Sequence, residues 1–336
     1  MDDLDLVALE AWLRRRTPGS GVPCVERIGG GQSNPTWFVD WGGMRMVLRK
    51  KPAGDILPGA HAVEREFRVM RALEPTDVPV PRTLWLEEDS RVLGTPFYLM
   101  ERVEGRVFSD CTLPGLTPEE RREMYLDFAR TLARLHAVRP EDVDLRDFGR
   151  PGDYFSRQIA RWTRQYAEQD RLRIPALDRL AAWLPDNMPP DDGAVCIAHG
   201  DFRLGNMLWH PTEPRVVAVL DWELSTLGHP LADLGFCVIP WHSAPDEYGG
   251  LLGTDWQAGG IPERDAFVAE YMAHARCKAP LLAIHVVFAL FRFSVIFVGI
   301  ANRAAQGNAA SAQAAALAPL AERFALRALE IADGSG

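Results

Sequence analysis

The pattern of apolar and polar positions changes character twice along this chain. Residues 3–16 place Leu4, Leu6, Val7, Leu9 and Leu13 on one side of a short amphipathic helix. From Val22 the texture becomes that of strands, with short apolar or alternating runs at Val22–Ile28, Thr36–Trp41 and Met44–Leu48. Gly29-Gly30-Gly31 separates the first two runs, and Gly42-Gly43 predicts a tight hairpin between the second and third. Ala60, Val63, Phe67, Met70 and Leu73 then recur at helical spacing, and that helix ends before Pro75. Two further strands are expected at Thr83–Leu86 and Pro96–Val103.

After a loop-rich connector from Gly105 to Gly115 the chain turns helical. Thr117 reads as an N-cap, with Pro118 at the first helical position and Glu120 completing a capping box; this helix runs to about Ala137. More helices are expected near 153–170, 175–184, 230–237, 263–275, 280–305 and 311–332. One stretch interrupts them. An apolar strand leads into Ala198-His199-Gly200-Asp201-Phe202-Arg203-Leu204-Gly205-Asn206, and a second apolar run delivers Asp221 at its end, which reads as one inserted hairpin. The expected fold class is α+β. A small antiparallel β lobe with one main helix (1–103) is followed by a larger, mostly helical lobe (104–336). Two lobes imply a cleft, and clefts take ligands.

Charge and composition narrow the partners. The net charge of −9 over 336 residues argues against nucleic acid, whose phosphates need a basic face. Five separated cysteines with no C-x-x-C read as reduced thiols of a cytoplasmic protein, and the acidic start lacks the pattern of a signal peptide. Pro280–Ile300 is long enough to span a bilayer. However, His285, Arg292, Asn302 and Arg303 interrupt or flank it, and an intramembrane Arg costs roughly 2.5 kcal/mol or more. A buried helix is the better reading, and no membrane partner is expected.

Asp201, Asn206 and Asp221 carry the chemistry. A triphosphate is strongly anionic, so carboxylates beside it need a cation, and Mg2+ takes a few hard oxygens from Asp, Asn, water and phosphate. Asn206 and Asp221 supply such oxygens as metal ligands, leaving Asp201 to orient an acceptor hydroxyl and take its proton. An ordinary Asp is a weak base, which suffices where cleavage to the leaving group runs ahead of deprotonation. Against this stands the plain alternative that a lone Asp at a strand end is a turn residue.

The D-x-x-x-x-N spacing from Asp201 to Asn206 equals that of the protein-kinase catalytic loop, and Asp221 falls where the metal-binding Asp of D-F-G would stand. His199-Gly200-Asp201 with Asn206 and Asp221-Trp222-Glu223 resembles the aminoglycoside phosphotransferase/choline kinase-like superfamily, which shares the protein-kinase fold. Gly30 to Pro35, Val47 to Pro52, Phe97 to Gly105 and Gly228 to Leu234 resemble the kinase-like domain fused to some animal acyl-CoA dehydrogenases, and its free-standing bacterial relatives.

The resemblance implies ATP as donor, Mg2+ as cofactor and a small-molecule hydroxyl as acceptor. It places the phosphate-contacting cation at Arg49, where kinases carry Lys; Lys51, on the same face by strand alternation, is the alternative. Glu66 is the expected partner of that cation, with Glu64 as second choice. Gly30, Gly31 and Ser33 present bare backbone to phosphate, although a plain turn also explains them. The segment from Phe97 to Val103 joins the lobes, and the resemblance implies that its backbone, at Glu101 and Val103, reads the adenine edge. Arg203 is assigned to the charge of the transferring phosphoryl group. His199 and Asp233 are read as anchors of the loop, and Glu223 as a neighbour of metal or substrate.

The acceptor is less legible. Residues 279–336 hold Glu322, Glu330 and Asp333 against Arg292, Arg303, Arg323 and Arg327 in a largely apolar context. That suits an amphipathic hydroxy acid or hydroxyacyl-CoA. An aminoglycoside or other antibiotic phosphotransferase, and a non-catalytic nucleotide-binding module, are the competing readings.

Overall fold

A computed structural model describes residues 4–29, 34–53, 62–169, 173–305 and 317–334. Five strands make one antiparallel sheet in the order β1-β2-β3-β5-β4: β1 (Cys24–Arg27), β2 (Thr36–Trp41), β3 (Met44–Lys50), β4 (Thr83–Glu87) and β5 (Phe97–Glu101). Gly42 and Gly43, with φ of 58° and 80°, form the two-residue turn between β2 and β3. That backbone matches the twist of the flanking strands and is strained for any residue with a Cβ.

Strand alternation gives the sheet two distinct faces. Trp37, Val39, Trp41, Met46, Leu48, Phe97 and Leu99 point to one side and bury against Leu9, Trp12 and Leu13 of α1 (Leu6–Arg14). The opposite face carries Val47, Tyr98 and Met100, which join Val63, Val69 and Met70 of α2 (Val63–Leu73). Arg49 is two residues beyond Val47 and opposite Tyr98 in the ladder, so it belongs to this second face. A period of two thus aims it at α2.

A short helix, α3 (Ser90–Leu93), precedes β5. The large lobe follows with α4 (Pro118–Ala137), α5 (Tyr154–Ala167), α6 (Pro175–Asn187), α7 (Pro230–Cys237), α8 (Arg264–His274), α9 (Ala283–Ala305) and α10 (Leu320–Ala332). Thr117 and Glu120 form the expected capping box on α4. The apolar α9 packs against α7 and α10, with Val287, Leu290, Phe291 and Val298 fully buried. It is therefore a core helix of the lobe, although it is long and apolar enough to cross a membrane. The first part of the helix expected at 311–332 lies outside the described residues, as do the start of that at 60–73 and the end of that at 153–170.

The inserted hairpin requires correction. β6 (Cys196–Ala198) pairs with β9 (Thr226–Gly228), while β7 (Met207–Trp209) pairs with β8 (Val216–Val219). The stretch from Cys196 to Gly228 is therefore two separate two-stranded ladders, one nested within the other, with the polar loop running between them. The lobes are also tied together. Arg65 on α2 donates to the Phe148 carbonyl at 2.8 Å and stacks over its ring, and the Val219 amide donates to the Pro79 carbonyl at 2.8 Å.

Candidate active site

Gly200 introduces the polar loop after β6. Its φ is +83°, and a Cβ there would stand 2.7 Å from the Leu224 carbonyl oxygen, so the turn admits glycine and little else. The loop is pinned from beneath by Asp233 on α7. Its carboxylate accepts the backbone N–H groups of His199 (2.7 Å) and Gly200 (2.9 Å) and lies 3.3 Å from His136 Nε2. Burial works to raise the Asp233 carboxyl, but the hydrogen bond and charge of His136, with His199, outweigh it and hold it below its ordinary value. His199 Nδ1 accepts the Asp201 amide, so its Nε2 carries the proton donated to the Leu220 carbonyl at 3.0 Å. This histidine is structural: it joins the loop to the residue preceding Asp221.

Asn206 is oriented by the residue it serves. Its Nδ2 donates at 2.8 Å to both the backbone oxygen and the Oδ2 of Asp201. Both donors of the amide are thereby committed to one side, and Oδ1 is presented as an acceptor. Burial raises the Asp201 carboxyl above its ordinary value, against the pull of Arg203, whose Nε is 3.5 Å away. A carboxylate so shifted is a better proton acceptor than a solvated one.

Asp221 closes the group from the end of the second ladder. Its φ of 65° is a left-handed conformation, which Asp tolerates better than most residues with a Cβ. Arg49 bridges the lobes here, with Nη2 at 2.7 Å from Asp221 Oδ1 and 3.9 Å from Glu223, and Nε at 3.0 Å from Glu66 Oε2. Glu66 is 1% exposed and also receives the Asn34 side-chain N–H at 2.6 Å and the Tyr98 hydroxyl at 3.0 Å. Burial disfavours the Arg49 cation, yet Glu66 and Asp221 outweigh it and hold the guanidinium above its usual value. Burial pushes the Glu66 carboxyl up to about 7 against the attraction of Arg49. Asn34 and Tyr98 are the site residues that pattern reading missed. Tyr98 becomes visible only once the pairing of β3 with β5 sets it opposite Arg49.

The remaining expected residues fall as follows. Glu101 ends β5 with its amide committed to the Arg82 carbonyl at 2.8 Å, and Val103 follows in the connector, where neither backbone group pairs with another described residue. Gly30, Gly31 and Ser33 lie outside the described residues. Arg292 is tied to the polar loop, donating to the Gly200 carbonyl at 2.6 Å. It braces that loop, and the side chain of Arg303 lies outside the described residues.

Two oxygens, Asn206 Oδ1 and an Asp221 carboxylate, fit Mg2+, which keeps waters and substrate phosphates as its other ligands. Among the described residues there is no cluster of three or more His, Cys, Asp or Glu suited to a metal.

Comparison with known proteins follows the same lines. The chain matches the phosphotransferase enzyme family over residues 25–272. It is 39% identical to acyl-CoA dehydrogenase family member 11 of Gallus gallus over 97% of this chain and 43% of that protein. It is 40% identical to family member 10 of Mus musculus over 98% of this chain and 31% of that protein. The chain thus spans less than half the length of these curated relatives. A crystal structure from Ralstonia eutropha JMP134, described provisionally as an aminoglycoside phosphotransferase, is 43% identical, with a TM-score of 0.89 over 99% of both chains. Spectinomycin phosphotransferase, solved with ADP and spectinomycin, shares the fold at 11% identity, with a TM-score of 0.65 over 98% of both chains.

Proposed function

The chain belongs to the phosphotransferase enzyme family, and we propose that it moves the γ-phosphoryl group of ATP to a hydroxyl of a small molecule with the help of Mg2+. The preferred acceptor is a hydroxy acid or a hydroxyacyl-CoA. The observation that carries the reading is the convergence of Asp201, Asn206, Asp221, Arg49 and Glu66 from four separate elements on one cleft. Relatives of the same fold solved with ADP and with AMP-PNP support a nucleoside triphosphate as donor.

Each side chain then has a task. Arg49, held by Glu66, steadies the donor phosphates from the small lobe. Asn206 and Asp221 hold the metal, which when bound neutralises charge on the phosphate oxygens. Asp201 receives the proton of the attacking hydroxyl as the acceptor oxygen–phosphorus bond forms and the γ-phosphorus bond to the departing ADP breaks, and its raised basicity suits that role. Arg203, beside Asp201, offsets charge on the group in flight. Backbone at Glu101 and Val103 takes the adenine edge, and the backbone of Gly30, Gly31 and Ser33 covers the phosphates.

The acceptor class rests on the likeness to kinase-like segments of acyl-CoA dehydrogenase family members. Nucleotide consumption is measured against hydroxy acids, hydroxyacyl-CoAs, aminoglycosides and choline. Turnover with the first two is expected, and turnover with aminoglycosides alone overturns the acceptor assignment. With a turning-over acceptor in hand, Asp201→Ala abolishes transfer while nucleotide binding persists. Unchanged transfer in that variant refutes the mechanism.

A further inference from the structure

A cavity of about 50 Å3 opens beside Arg203, two residues beyond Asp201. That space suits a short hydrocarbon branch of a ligand rather than a whole small molecule. Its wall is aromatic, drawn from Phe128 on α4, Phe202 after the catalytic Asp, Phe236 on α7, Phe293 on α9 and Tyr248, with the Cys237 thiol between them. Only two lining side chains carry formal charge. Glu247 is 3% exposed and already neutralised, at 2.9 Å from Arg323 and 3.2 Å from Arg327. Arg203 is the other, and it reaches from this cavity to within 3.5 Å of Asp201.

The mouth is built with some strain. Tyr248 has a φ of 70°, a conformation that bulky residues seldom adopt. Its ring is held 5.2 Å from that of Phe293, 5.5 Å from that of Phe297 and 5.2 Å from the Arg203 guanidinium carbon. The turn behind it is equally constrained: a Cβ on Gly250 would fall 1.9 Å from the Ser243 carbonyl oxygen.

Resting on the phosphotransferase reading, we propose that this cavity is the subsite for the hydrocarbon part of the acceptor, with Tyr248 and Phe293 setting the chain length accepted. The acceptor hydroxyl then lies at Asp201, Arg203 marks the boundary between polar and apolar halves, and the alkyl or acyl chain enters among the aromatic rings. The same wall disfavours a polyamine, because it offers no unpaired carboxylate and places a cation at the entrance.

Straight-chain hydroxy acids from four to twelve carbons, free and as CoA thioesters and with the hydroxyl position held fixed, provide the test. With the wild-type protein, kcat/KM rises by up to ~4-fold per added methylene until the cavity is full and then falls, the increment expected for burying one CH2. Calorimetric titration of the same series without nucleotide gives the same order of affinities. Phe293→Ala moves the optimum to longer chains, and Cys237→Phe moves it to shorter ones. Turnover indifferent to chain length, or an optimum that neither variant moves, overturns this inference alone. Absence of turnover with every member of the series overturns the acceptor assignment as well.

Discussion

Replacing Asp233 by Asn tests how the loop that carries Asp201 is held. The carboxylate is 2% exposed and takes the amide hydrogens of His199 and Gly200 on separate oxygens, at 2.7 and 2.9 Å. An Asn retains one acceptor oxygen, and its NH2 must face the other backbone N–H, donor against donor. One hydrogen bond to a charged group is lost, at a cost of about 1.5–3 kcal/mol, and a buried amide is left unpaired. Against a typical domain stability of about 5–15 kcal/mol the variant still folds. The amides concerned immediately precede Asp201, so the expected consequence is a displaced base. A misplacement of about 1 Å can cost ~100-fold in rate. Urea unfolding should show a lower midpoint with an unchanged slope, and kcat should fall by ~10-fold or more while KM for the nucleotide, held largely from the other lobe, stays within ~2-fold. A variant with wild-type midpoint and wild-type kcat refutes the claim that Asp233 positions the loop.

Four other outcomes follow from the same geometry. Arg49→Met leaves the buried Glu66 with the hydrogen bonds of Asn34 and Tyr98 but without its cation, and breaking a buried pair in this way should destabilise the protein by ~3–5 kcal/mol in chemical denaturation and abolish turnover. Tyr98→Phe removes one hydroxyl from Glu66 and should lower stability by about 1.5–3 kcal/mol while raising KM for the nucleotide, measured by steady-state kinetics. Gly200→Ala forces a Cβ against Leu224 at a φ of +83° and should cut kcat with little effect on nucleotide binding, measured by calorimetry. Acid sensitivity has a defined window at His285, whose imidazole burial, with the neighbouring His229, pushes down to about 4. The unfolded imidazole takes its proton near its ordinary 6.5 and the folded one resists until about 4, so stability falls as pH drops through that interval. Thermal melts of His285→Phe across the same range should show a shallower decline.

Local pattern carried the outline of this site a long way, and pairing decided the rest. Asp201 and Asn206 are five residues apart in one loop, so their spacing alone places them together, and strand alternation alone puts Arg49 on the face toward α2. The choice of Glu66 over Glu64 needed the helix phase, because only Glu66 turns inward to meet the 3.0 Å ion pair. What the sequence concealed was non-local. The run before His199 looks like the first arm of a hairpin, yet its partner is β9, some thirty residues on, because the run of residues after Asn206 pairs with β8 first. Asn34 gives no periodic signal, since its amide is recruited by a helix that begins nearly thirty residues later. The aromatic cavity is hidden for the same reason. Its rings come from α4, the catalytic loop, α7, the turn at Tyr248 and α9, and each reads separately as ordinary core. Polar residues at fixed spacing are therefore legible along the chain, whereas a cavity assembled where distant helices meet is not, and only folding brings the two to the same arginine.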